Sequence, residues 1–291
     1  MIHRYYNNGY YIVLDVNSGA VHVVDEAAYE VIGLYENCTP EEIVERLKDR
    51  WPEDELREIL EDVETLKQQG TLFTEDTYKD RVIDFKKRST VVKALCLHIA
   101  HDCNLACRYC FAEEGEYHGR RALMSYEVGR QALDFLIANS GNRKNLEVDF
   151  FGGEPLMNWQ VVKDLVAYGR EQEKIHDKKF RFTLTTNGIL LNDEVQEFVN
   201  REMSNVVLSI DGRKEVNDKM RPFRNGRGSY DLIVPKFQKL AESRNQNNYY
   251  VRGTFTRNNL DFSEDVLHLA DLGYKQISVE PVVAAPEEPY A

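Results

Sequence analysis

The sequence predicts an α/β protein: an open, partial (β/α)6 barrel preceded by a small winged-helix-like domain made of a β-hairpin and three helices. Two observations carry this. From Ala94 onward, short runs of β-branched and aromatic residues alternate with amphipathic stretches, as in parallel strands joined by right-handed helical crossovers. Upstream, two strand-like runs around a turn lead into three helical stretches without that alternation. Six βα units are too few to close an eight-stranded barrel, so the sheet is expected to stay open.

In the first domain (residues 1–74), Tyr10–Asp15 and Ala20–Val24 read as strands, and Asn17-Ser18-Gly19 supplies the turn between them. Asp25 is placed to cap a helix running to about Tyr35. Thr39-Pro40-Glu41-Glu42 predicts a second helix start, with Thr39 as cap and Glu42 completing a capping box. A third helix is expected from Glu53 to Gln69. Leu56, Ile59, Leu60, Val63 and Leu66 share one face of it, and Gly70 ends it.

Residues 75–93 are charged and aperiodic and read as a linker, with Lys86-Lys87-Arg88 as a solvated basic patch. The second domain (94–291) then offers strands at 94–99, 146–151, 180–185, 206–210, 250–255 and 276–279. Helices are expected between them at 126–139, 159–174, 193–201, 232–244 and 263–272. In such sheets ligands gather at the carboxyl ends of the strands. The unusual residues fall there: a cysteine loop after the first strand, Gly152-Gly153-Glu154-Pro155 after the second, Thr186-Asn187-Gly188 after the third, and Ser209-Ile210-Asp211-Gly212 at the fourth.

Composition narrows the function classes. The net charge of −12, from 49 acidic against 37 basic residues, argues against nucleic acid or an anionic membrane as partner. No apolar run is long enough to span a membrane and the N-terminus lacks a signal peptide, so a cytoplasmic location is expected. Five cysteines in a reducing compartment are not expected to form stable disulfides. Cys38 and Cys96 read as small buried hydrophobes.

Cys103, Cys107 and Cys110 form a compact Cys-x3-Cys-x2-Cys loop. Three thiolates are soft ligands suited to an iron–sulfur cluster, and they leave one iron without a protein ligand. The competing reading is a structural zinc site completed by His98, His101 or Asp102, although the chain has no second ligand pair of the usual kind. Gly152-Gly153 lets backbone approach a ligand closely, and Glu154 adds a carboxylate suited to an ammonium group. Taken singly, Asn187-Gly188 reads as a turn, Ser209 and Asp211 as helix caps, Arg221 as surface charge and Arg227-Gly228-Ser229 as a helix start.

In combination and order, these motifs resemble the radical S-adenosylmethionine (radical SAM) enzymes over residues 94–280. The resemblance implies that Cys103, Cys107 and Cys110 hold a [4Fe-4S] cluster whose open iron is chelated by S-adenosylmethionine. It implies that Gly152, Gly153 and Glu154 hold the ammonium of that cofactor, with Ser209 near the ribose and Arg221 near the carboxylate. Tyr109 backbone and a side chain near Val279 would flank the adenine. No catalytic side chain is implied beyond this cluster and cofactor site. The implied reaction is reductive cleavage of S-adenosylmethionine to a 5′-deoxyadenosyl radical that abstracts a substrate hydrogen, with electrons from a donor such as flavodoxin or ferredoxin.

The first domain resembles the recognition element of enzymes that modify ribosomally made peptides, where a leader peptide adds as a strand to the sheet edge. A DNA-binding winged helix is disfavoured, because the third helix carries seven acidic residues between Glu53 and Glu64. Together the two domains resemble the thioether-forming maturases of six-cysteine (SCIFF) peptides, especially from Ala94 to Trp159. That implies a cysteine-rich precursor peptide as partner. Formylglycine-forming sulfatase maturases and a non-catalytic peptide- or zinc-binding module are the alternatives. The resembled maturases continue into a cysteine-rich SPASM domain with auxiliary clusters. Here no cysteine follows Cys110, so the expectation is a truncated form that binds leader peptide without completing the cross-link alone.

Overall fold

A hairpin needs a turn its flanking strands can tolerate, and the chain begins with one. Asn8 and Gly9 both take positive φ (50° and 86°), closing a two-residue turn between β1 (Ile2–Asn7) and β2 (Tyr10–Asp15). In this computed structural model, which describes residues 1–79 and 90–291, two compact units are present, Met1–Ser89 and Thr90–Ala291. The expected patch Lys86-Lys87-Arg88 lies outside the described residues.

In the first unit β1, β2 and β3 (Val21–Val24) form an antiparallel sheet in that order. β1 was not foreseen, although Asn8-Gly9 between tyrosine-rich runs was its signal. Helices α1 (Glu26–Leu34), α2 (Pro40–Leu47) and α3 (Glu53–Gln68) follow. Asp25 accepts from the Ala28 amide, and Thr39 and Glu42 form the reciprocal capping box. Leu56, Leu60 and Val63 of α3 are buried, with Ile59 and Leu66 half-buried beside them. Asp15 is fully buried and accepts from the Asn17, Ser18 and Thr74 amides and the Thr74 hydroxyl. Burial pushes its carboxyl up, but these hydrogen bonds prevail and hold it below the usual aspartate range.

The second unit is a seven-stranded sheet in the order β10-β9-β8-β7-β6-β4-β5. Its strands are β4 (Ala94–His101), β5 (Ala122–Leu123), β6 (Asn145–Gly152), β7 (Lys179–Thr186), β8 (Asn205–Ser209), β9 (Tyr249–Phe255) and β10 (Ile277–Pro281). All pairs are parallel except the short edge pair β4–β5, which was not foreseen. Helices α4 (Tyr126–Ala138), α5 (Trp159–His176), α6 (Asp193–Glu202), α7 (Lys214–Met220), α8 (Tyr230–Ser243) and α9 (Phe262–Asp271) make the crossovers. β10 and β5 are the sheet's edges, so the barrel is partial and open, as the sequence predicts.

Side-chain alternation divides this sheet into two unlike faces. Leu146, Val148 and Phe150 of β6, with Phe180, Phe182 and Leu184 of β7, pack under the helices and are buried. Each such side chain contributes roughly 1.5–3 kcal/mol of burial, enough to fix the register. The opposite, concave face carries Glu147, Asp149 and Phe151 on β6, Thr183 and Thr185 on β7, and Arg252 and Thr254 on β9. Cys96 falls on this concave face and is exposed, whereas a buried position was expected; Cys38 packs half-buried against the first unit's core. The difference is one of parity, since Leu97 and Ile99 take the helix-covered side of β4.

Candidate active site

The cysteine loop leaves the carboxyl end of β4, and its shape is imposed by contacts from three other strand ends. Gly153 N donates to Ala100 O at 2.8 Å and Glu154 N to Asp102 O at 2.9 Å, splicing the loop onto the end of β6. The glycines are required by proximity. A Cβ at Gly153 would stand 2.1 Å from the Asp102 carbonyl oxygen, and one at Gly152 would stand 2.5 Å from Ala100 O, with φ at +127°. Gly115, not singled out from the sequence, packs its backbone against Gly153 and Asp102 in the same way.

From the β7 end, Asn187 Nδ2 donates to Asn104 Oδ1 at 2.7 Å and reaches Cys103 Sγ at 3.5 Å. From the segment after β8, the loop is held on its other flank. Ala106 N donates to Pro222 O at 2.8 Å and Arg108 N to Met220 O at 2.9 Å. Arg224 Nη2 donates to Cys103 O at 2.9 Å and pairs with Asp102. Helix α7, which positions this segment, was missed because its seven residues are too few to show a period.

A cleft opens over the loop. Its lining includes Cys103, Cys107, Cys110, Tyr109, Gly152, Gly153, Ser209 and Arg221, so eight of the ten residues singled out as site candidates converge there. The other two do not line it. Val279 pairs with Gly253 in register and shares the helix-side face with Val251, while Glu280 to Val283 just beyond it line an adjoining cavity. Glu154 is fully buried below the cleft: Oε1 accepts from Leu156 N and the Thr186 hydroxyl, and Oε2 from Asn187 N at 2.8 Å. Oε2 thus keeps one acceptor position. Burial pushes the Glu154 carboxyl up against these hydrogen bonds.

Asn187 combines a turn with a site position, being buried and lining the cleft. Asp211 caps no helix; it accepts from the Tyr109 hydroxyl and from Thr254 N at 3.1 Å. Ser229 precedes α8 without a side-chain cap, and its hydroxyl donates instead to Arg221 O at 2.7 Å. Arg221 is buried rather than on the surface.

The donor set fits an iron–sulfur cluster. Among the described residues no three His, Cys, Asp or Glu side chains converge on a single point where one metal ion would sit, the three thiols included. A cubane instead takes each thiolate on a different iron. Four buried side-chain polar atoms lack a partner among the described residues, and three belong to this neighbourhood: Asn104 Nδ2, Arg221 Nε and Tyr117 OH. Such orphans mark a place where another polar group belongs. Burial pushes the Cys103 thiol up to about 12 and Cys107 up to about 11, so neither is a thiolate without a metal to displace its proton.

A parallel half-barrel with a three-cysteine cleft at its strand ends defines the structural class. The radical SAM superfamily profile matches residues 97–277, and the chain belongs to that superfamily, whose cofactors are a [4Fe-4S] cluster and S-adenosylmethionine. An uncharacterized protein of Methanocaldococcus jannaschii is 30% identical over 190 residues, covering 65% of this chain and 62% of its own length. The structure of anSMEcpe with bound AdoMet and Cp18Cys peptide superposes with a TM-score of 0.60 at 19% identity, over 69% of this chain and 55% of that one. Streptococcus suis SuiB bound to S-adenosylmethionine gives a TM-score of 0.52 at 16% identity, over 96% of this chain and 62% of that one. At these identities the two structures speak to fold alone. No described helix is long and apolar enough to cross a membrane.

Proposed function

We propose that the chain is the peptide-binding and radical-generating part of a radical SAM enzyme that modifies a ribosomally made, cysteine-rich peptide by thioether formation. The observation that carries the enzyme reading is the cysteine loop in its cleft, spliced to the Gly152-Gly153 strand end and surrounded by unpartnered donors. When bound, the cluster and S-adenosylmethionine supply a 5′-deoxyadenosyl radical for hydrogen abstraction. Cys103, Cys107 and Cys110 would hold the cluster. Gly152, Gly153 and the open position on Glu154 would take the cofactor's ammonium, Arg221 its carboxylate, and Ser209 and Tyr109 its nucleoside. Phe111 and Phe151, shared by the cleft and the adjoining cavity, form an apolar wall that helps exclude water from the reacting carbon.

The peptide reading rests on the first unit. Among the described residues strand β3 pairs only with β2, which offers its other edge to an added strand, and Val21 and Val23 stand exposed on β3. The acidic α3 is unsuited to a phosphate backbone and suited to a basic leader. A bound peptide in the anSMEcpe relative is in keeping with a peptide substrate.

Anaerobic reconstitution tests the first part: brown protein with about four irons per chain, lost in Cys107→Ala, is expected. Colourless protein with one zinc per chain defeats it. For the second part, fluorescence anisotropy with a labelled leader-bearing, cysteine-rich peptide is expected to show binding that Val23→Pro weakens at least tenfold. Equal binding by that variant removes the edge-strand role.

A further inference from the structure

Beyond the cofactor contacts proposed above, Tyr109, Asp211 and Arg221 are joined in one hydrogen-bonded network at the back of the cysteine loop. The Tyr109 hydroxyl donates to both Asp211 oxygens, each at 2.8 Å, and accepts from Arg221 Nη1 at 2.7 Å. The Asp211 and Arg221 side chains are buried and Tyr109 is half-buried, and Arg221 and Cys107 line the same cleft. The main chain repeats the join, since the amides on either side of Cys107 donate to the carbonyls on either side of Arg221. Ser229 fixes the Arg221 carbonyl, and Asn217 fixes Ser229 at 3.0 Å. A buried cation is thus held in one place by a neutral phenol that a buried carboxylate orients.

We infer that Tyr109 and Asp211 are positioning residues that hold the Arg221 guanidinium against the Cys107 corner of the cluster, and that this held charge sets the cluster's reduction potential. The inference rests on the cluster assignment proposed above. A cation fixed in a low-dielectric site favours the more negatively charged, reduced cluster, raising its potential; the same cation loose in solvent does so far less. Among the described residues the phenol oxygen makes the hydrogen bonds that join cation to carboxylate, so its removal loosens the cation without changing any charge.

The test is an anaerobic redox titration, followed by EPR, of the reconstituted full chain and three variants. Arg221→Gln is expected to shift the midpoint to a more negative value. Tyr109→Phe is expected to shift it the same way, and the double variant no further than Arg221→Gln alone. A wild-type midpoint for Tyr109→Phe overturns the inference, as does additivity in the double variant. Failure of Tyr109→Phe to load iron, with far-UV circular dichroism intact, also overturns it, by making Tyr109 a cluster-retention residue. Should the wild-type chain itself load no iron, the cluster assignment fails instead, and the two failures are distinct.

Discussion

Gly153→Ala puts the splice between β6 and the cysteine loop to a direct test. The added methyl would lie 2.1 Å from Asp102 O, 2.6 Å from Asp102 C and 3.1 Å from Gly115 Cα, all backbone atoms that no rotamer change can clear. Ordinary contact requires more than 1 Å of retreat by the loop. That movement takes with it the hydrogen bonds Gly153 N to Ala100 O and Glu154 N to Asp102 O. Overpacking costs about 1–3 kcal/mol and each hydrogen bond about 0.5–1.5 kcal/mol, giving roughly 2–6 kcal/mol in total. A domain stable by about 5–15 kcal/mol survives most of that range, so the expected result is a folded chain with a displaced loop. Iron and sulfide per chain after anaerobic reconstitution should fall severalfold while far-UV circular dichroism is retained. Gly169→Ala is the control: its Cβ would meet Phe182 Cζ at 2.7 Å beneath α5, so the cluster-free melting temperature should fall while iron loading stays. Full iron loading of Gly153→Ala with a wild-type melt would refute the reasoning.

Three further predictions concern stability. Burial pushes Asp149 up to about 6 from 3.8, against a hydrogen bond from Thr185 and the pull of Arg252; the folded state therefore holds the extra proton, and its stability falls as pH rises from about 4 through 6. Asp149→Asn should remove that loss, stabilising cluster-free protein by up to about 3 kcal/mol at pH 8 and little at pH 4, as read from urea midpoints. Asp15 has the opposite sign: its lowered carboxyl contributes stability in full above the unfolded value near 4, lost as pH falls through the lower folded value. Asp15→Asn should accordingly speed amide exchange in residues 10–24 at pH 7, with the difference shrinking as pH falls below the unfolded value. Thr39→Ala removes the N-cap and one arm of the capping box of α2 and should cost about 1 kcal/mol, measured by thermal melting.

Much of this was legible in the sequence because local chemistry agreed with the final fold. Thr39-Pro40-Glu41-Glu42 and Asp25 specify helix starts without tertiary help, and the six parallel strands announced themselves by alternating composition. The convergence of strand-end motifs followed from topology. What escaped were features whose meaning is tertiary. Glu154 looks like a wholly free ligand until its oxygens are counted, because Leu156, Thr186 and Asn187 leave only one acceptor position, on Oε2. Asp211 looks like a cap until Tyr109, 102 positions away, is found on it. Arg221 looks like surface charge until its guanidinium is found buried on the Tyr109 hydroxyl, and Val279 faces the helix side while Glu280 beyond it lines the adjoining cavity. Strand β5 and helix α7 are too short for periodicity to reveal.

The clasp on the cysteine loop also orders events in time. Its three thiols lie within eight residues, yet the partners that shape the loop sit far downstream: Asn187 is 83 positions beyond Asn104, Arg221 is 112 beyond Tyr109, and Arg224 is 122 beyond Asp102. A nascent chain exposes all three cysteines well before any of those partners is synthesised. At about 5–20 residues per second the interval lasts roughly 5–25 s. During it the thiols are unshaped and open to oxidants or stray metal, so cluster delivery belongs after translation has passed Arg224, when the loop first has walls.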